Sequence, residues 1–189
     1  MELAISLTPN TLAALGLFDI YARMVLVLDL ALEHFGTVEH CGNPAVDPLR
    51  TGFAVSILHR PTGRYIVVPH GTFAHPKYIF DRVGQYMVNA AEKVTRTHRR
   101  RDETSYPSRD PDRNMYAGAV RVGDYIIAIS GLSSGWKDQA AVLVAGRSIT
   151  MPETDRLSAA DALRIAFETQ DPEYASFVGF AGKHLQLTE

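Results

Sequence analysis

Hydrophobic and polar residues follow one another along this chain in two rhythms, and the changes of rhythm mark its elements. Apolar residues from Leu12 to Phe35, among them Leu15, Phe18, Tyr21, Val25, Leu28 and Leu32, fall on more than one helical stripe. Thr8-Pro9-Asn10 supplies start signals and Gly36 a stop, so the pattern predicts a long helix with more apolar surface than one sheet covers. GFAVSIL and RYIVV then flank Arg60-Pro61-Thr62-Gly63, where Pro presets the turn angle and Gly accepts a positive one. An antiparallel hairpin is predicted there. The helical rhythm returns with Ile79, Val83, Met87, Ala90 and Val94 on one face, while Lys77, Asp81, Gln85, Asn89, Glu92 and Lys93 mark the rest. Gly84 in this helix is expected to permit a close approach to the sheet.

Residues 98–114, HRRRDETSYPSRDPDRN, are too polar and too interrupted by Pro for a regular element. A second hairpin follows, YAGAVRV and YIIAIS around Gly123-Asp124, and leads through GLSSG into a helix starting near Trp136. Ser158, with Asp161 three residues on, marks the N-cap of another helix. The order helix, hairpin, helix, hairpin, helix predicts an α+β fold, an antiparallel sheet of two hairpins with helices packed on it. Residues 1–150 are expected to form a single domain. Residues 151–189 read as a C-terminal helical extension packed on that domain or on a partner subunit.

Composition narrows the function classes. Lys and Arg number 19 against 21 Asp and Glu, a formal charge of −2, so the chain as a whole is not adapted to a polyanion and no nucleic-acid partner is expected. Cys41 is the sole cysteine, which excludes an intramolecular disulfide and suits a reducing, cytoplasmic setting. Asp19, Arg23, Asp29 and Glu33 interrupt the first apolar segment, so neither a signal peptide nor a membrane span is expected.

GLSSG, residues 131–135, matches the G-x-S-x-G pattern of a nucleophile elbow. Chain order would offer Ser133 as nucleophile with Asp171 and His184 as partners. Against a serine hydrolase, the strand before GLSSG is reached by a tight hairpin, whereas an elbow needs a parallel strand feeding a helix. Glycine and serine also serve ordinary strand-to-helix turns. A ligand-binding turn is therefore preferred to a catalytic one, and an oligomeric interaction module with no small ligand is the further alternative.

The stretch AGAVRVGDYIIAISGLSSGWKDQAAVLVAG resembles the closing segment of the GlcG/HbpS-like haem-binding-protein family, with Gly118 in its Gly-rich strand and Asp138, Ala141, Ala145 and Gly146 in its helix. FAVSILHRPTGRYIVVPHGTF and IFDRVGQYMVNAAEKVTRT resemble that family's central hairpin and following helix, so the likeness covers about residues 20–147. His70, followed by Gly71 and Thr72, stands where the family has an acidic residue, and the family's Lys in the next helix has no clear counterpart. The resemblance implies a profilin-like α+β fold and a homo-oligomeric small-ligand-binding protein without strong catalysis, with haem or a corrinoid as a possible ligand class. Cofactor-contacting residues would be His70, Thr72, His75, Ser133 and Asp138.

Three further features can be weighed from the residues. His70 and His75 flank a strand-to-helix turn, where an imidazole could ligate haem iron or meet a ligand carboxylate. His34, His40 and Cys41 do not fix a metal geometry, so no metal site is assigned. The basic run RTHRRR, from Arg96 to Arg101, suits a helix C-terminus, with a local anion contact as the alternative. Self-association as a dimer, or a closed oligomer of dimers, is expected from the first helix and from Phe177, Val178, Phe180, Leu185 and Leu187 of the C-terminal arm.

Overall fold

The computed structural model describes residues 9–37, 51–73, 79–148, 150–169 and 172–185. Within them helix α1 (Pro9–Phe35) precedes a hairpin of β1 (Gly52–His59) and β2 (Arg64–Gly71). Helix α2 (Ile79–Arg100) leads to the second hairpin, β3 (Ala119–Val122) and β4 (Tyr125–Ser130). Three helices complete the order: α3 (Gly135–Arg147), α4 (Ala159–Thr169) and α5 (Pro172–Leu185). The strands form one antiparallel sheet in the order β2-β1-β4-β3, so β1 and β4 join the two hairpins. This is the α+β architecture that the order of elements predicts.

Period-two alternation assigns each strand residue to a layer. Phe53, Val55, Ile57, Val122, Ile127 and Ile129 face the larger core with α1 and α3. Leu58, Ala119, Ile126 and Ala128 face the other way, where Val94 of α2 closes a smaller cluster. Helices on both faces leave β1 and β4 no wet side, which is why YIIAIS reads as an apolar run instead of alternating.

The last two helices complete the larger core. Ala162, Ile165, Tyr174 and Phe177 are buried in it, and the Phe177 ring lies 4.7 Å from that of Phe35, centroid to centroid. The start of α4 follows from its sequence: Ser158 Oγ accepts from the Asp161 amide at 3.0 Å and donates to the Asp161 carboxylate at 2.7 Å.

Two expectations for α2 are corrected. Gly84 has nothing within 4 Å of the position a Cβ would take, so it serves no close approach to the sheet. Lys93, placed by its charge on the polar side, is 1% exposed. The polar segment after it is also more ordered than its composition implies. His98, Arg99 and Arg100 finish α2, and residues 103–105 then run along β3, with Thr104 bridging to Val120. Arg164 of α4 grips Glu103 through both terminal nitrogens. The strip covers backbone groups of β3 that an open sheet edge would leave unpaired.

Candidate ligand-binding site

Lys93 organises the far end of GLSSG. The i, i+3, i+4, i+7 spacing of Ala90, Lys93, Val94 and Thr97 puts its stem in the buried stripe of α2, and all four are buried. Its Nζ donates to Ile129 O and to Asp138 Oδ2, both at 2.7 Å. Asp138 Oδ1 accepts from the Leu132 amide at 3.0 Å. One buried ion pair thus fastens the end of β4, the turn and the first turn of α3. Asp138 also sits where a helix dipole favours negative charge.

Lys93 comes from the helix on one face of the sheet and Asp138 from the helix on the other, and Gly118 makes their meeting possible. A Cβ there would lie 2.6 Å from Asp138 Cβ and 2.8 Å from Lys93 Nζ, at a φ of +125°. Gly131 has a similar role in the turn. At φ +137° it lets the chain lie against Phe53 and Tyr86, where a Cβ would be within 2.9 and 3.0 Å. Glycine is therefore required at the start of GLSSG by packing, without any demand from catalysis.

A cleft of about 360 Å³ lies between α2 and this turn. Arg82, Tyr86 and Tyr116 stand on its walls, Lys93 and Asp138 contribute to its floor, and Ser133 and Ser134 come from the turn. The buried Ser134 Oγ has no hydrogen-bond partner among the described residues. Arg82, Tyr86, Tyr116 and Lys93 went unmarked as site residues in the sequence. For Lys93 the available signal was its place within the apolar stripe.

Ser133 and Asp138 are brought together here. Lys137 Nζ donates to Ser133 Oγ at 3.0 Å, lies 4.0 Å from Glu173, and stands 5.2 Å above the Trp136 ring. The strand leading into GLSSG, β4, is antiparallel to both of its neighbours. Asp171 and His75 lie outside the described residues, as does the side chain of His184.

His70 and Thr72 are elsewhere. His70 pairs directly with Phe53 in the β1–β2 ladder and stacks on its ring at 5.0 Å, so its imidazole faces α1, away from Lys93 and α2. Its Nδ1 is 2.9 Å from the Tyr21 hydroxyl. Its Nε2 is 3.0 Å from Asp29 Oδ1, off the line of a good hydrogen bond but close enough for charge to matter. Burial pushes the imidazole below its ordinary value, and the Asp29 carboxylate opposes that shift. Burial, with Asp29 adding to it, pushes the Tyr21 hydroxyl up. Thr72 is exposed, its amide donating to Thr51 O at 2.9 Å.

Among the described residues no group of three or more His, Cys, Asp or Glu could hold a metal ion, and no helix is long and apolar enough to cross a membrane. Comparison of the chain with protein-family models, with curated proteins and with solved structures finds no match.

Proposed function

We propose that this chain is a small-ligand-binding protein with a profilin-like arrangement of the GlcG/HbpS-like kind, taking an anionic organic molecule into the cleft between α2 and GLSSG. The cleft itself carries the reading: about 360 Å³, within the size range of small-molecule sites, with Arg82 on one wall, aromatic rings beside it and hydroxyls at the turn. Arg82 would meet the ligand's charge and Tyr86 or Tyr116 its flat or apolar part. The Lys93–Asp138 pair fixes the turn beforehand, so little ordering would be needed on binding.

Haem or a corrinoid belongs to this reading through the family resemblance. His70 does not fit as an axial ligand to haem, because Tyr21 and Asp29 occupy the surroundings of its two ring nitrogens and its side chain is 4% exposed. Haem in this cleft would be held by its propionates, against Arg82. Self-association and a cytoplasmic setting, which a lone Cys41 suits, complete the proposal.

The test is a titration of isotope-labelled protein, followed by amide resonances, with haem, cobalamin, citrate and benzoate. At least one is expected to shift the signals of residues 131–135 saturably, and Ser133→Trp, which fills the cleft, should abolish the effect. Absence of a saturable shift in that turn from all four would overturn the assignment of the cleft.

A further inference from the structure

The other end of α2 carries a second cleft, of about 610 Å³, where the last helical turn passes over the two hairpin turns. Four guanidinium groups line it: Arg60 from the first turn, Arg121 from β3, and Arg99 and Arg101 from the end of α2. They face two carboxylates, Asp102 and Asp124, and Asp102 is already engaged by Arg100 at 3.0 Å. Among the described residues Arg99, Arg101 and Arg121 make no ion pair. A helix C-terminus favours cations, which accounts for arginines at 99 and 100. It does not account for Arg60 and Arg121, which other elements bring into the same space.

Two independent features mark this as more than a solvated basic surface. Thr97 is 0% exposed, lines the cleft, and leaves its Oγ1 without a hydrogen-bond partner. A buried hydroxyl in that state is unfavourable until a polar group reaches it. Arg101 closes the helix at φ 60°, while the Asp102 amide donates to Thr97 O and the Arg101 amide to His98 O, both at 3.2 Å. Glycine usually holds that left-handed position, because a Cβ is strained there. Arginine in its place fits a use for the guanidinium.

We propose that this cleft binds the diphosphate or triphosphate group of a small organic phosphate. Guanidinium groups take phosphate oxygens two at a time, and four of them on three elements suit several phosphoryl groups better than one monoanion. Arg60 is held ready: its amide donates to Asp124 O at 2.8 Å and its Nη1 to Gly123 O at 3.1 Å, which ties the two hairpin turns together. The site is separate from the GLSSG cleft and does not depend on what binds there.

Calorimetric titration of the full chain with inorganic pyrophosphate and with ADP tests this, at low and at moderate salt. Saturable binding that weakens as salt screens the charges is expected. Arg121→Ala should weaken it by about tenfold or more, the effect of losing a charged hydrogen-bonding partner. Arg101→Gly separates binding from folding: it should bind about tenfold more weakly while melting at the same or a higher temperature, since glycine relieves the left-handed residue. Failure of both pyrophosphate and ADP to bind saturably would overturn the proposal, as would binding that survives both substitutions. Tighter binding of a single-stranded oligonucleotide than of either phosphate would overturn it in favour of a nucleic-acid surface.

Discussion

Lys93 of α2 and Asp138 of α3 meet at 2.7 Å with side chains 1% and 5% exposed, joining two helices that pack on opposite faces of the sheet. Burial pushes the Lys93 ammonium below the ordinary lysine value and the Asp138 carboxylate opposes it, so each charge depends on the other for what water no longer supplies. Lys93→Met or Asp138→Ala alone is expected to cost about 3–5 kcal/mol, because the remaining charge stays buried and unpaired. The double variant should lose clearly less than the sum of the two. Urea unfolding of the four proteins gives the coupling, and strict additivity would mean that the pair contributes nothing as a pair.

Gly118→Ala is expected to destabilise the fold by at least about 2 kcal/mol, from a backbone conformation nearly confined to glycine together with a clash at the ion pair. Gly84→Ala is the control. It lies in an exposed, open helical position and should instead stabilise by about 1 kcal/mol. Thermal melts of the two variants should therefore move in opposite directions.

His70 gives a pH dependence with a definite sign. Its folded-state value lies below the ordinary 6.5, so the unfolded chain takes up a proton that the folded one refuses. Stability should fall as pH drops through about 6.5 toward the folded value, with no contribution from His70 above that window. His70→Asn is expected to lose less stability than the wild type between about pH 7.5 and 5.5. Equal losses in the two proteins would show that Asp29 offsets the burial completely.

A fluorophosphonate is expected to leave Ser133 unmodified, judged by intact mass after long incubation. Lys137 donates to its Oγ, and the antiparallel β4 does not present it as the parallel strand of an elbow would. An adduct that disappears in Ser133→Ala would restore the hydrolase reading, with His184 and Asp171 as the first partners to examine.

Sedimentation at micromolar concentration should give at least a dimer mass. Phe177 and Ala181 of the C-terminal arm are already buried within the chain, whereas Phe18 and Leu26 of α1 stay 47% and 59% exposed, which makes α1 the first contact to test, ahead of the exposed Phe167 of α4. Leu26→Asp should then yield a monomer of unchanged helicity. A monomeric wild type would contradict self-association outright.

The hairpins and helices were legible because their signals are local: Arg60-Pro61-Thr62-Gly63 and Gly123-Asp124 fix the turns, and Ser158 with Asp161 fixes a cap. The candidate site was legible only in part. Ser133 and Asp138 lie close in sequence and stay together, but Lys93 is 45 positions from its carboxylate, and no local rule pairs them. His70 and Thr72 were grouped with the turn by the family resemblance alone, and the pleat sends the His70 ring to the other face of the sheet. The strip at residues 103–105 escaped notice for a similar reason, since its edge pairing follows from β3 and not from its own polar composition.

The packing of Phe35 against Phe177 has a consequence during synthesis. Roughly 140 residues separate the two rings, so at about 5–20 residues per second the apolar face of α1 waits on the order of ten seconds for its last cover. Through that interval the emerging chain displays Phe35 and its neighbours to chaperones and to other nascent chains. Ribosome-bound chains stalled before residue 172 should accordingly be cut by protease within α1, and chains released at full length should resist.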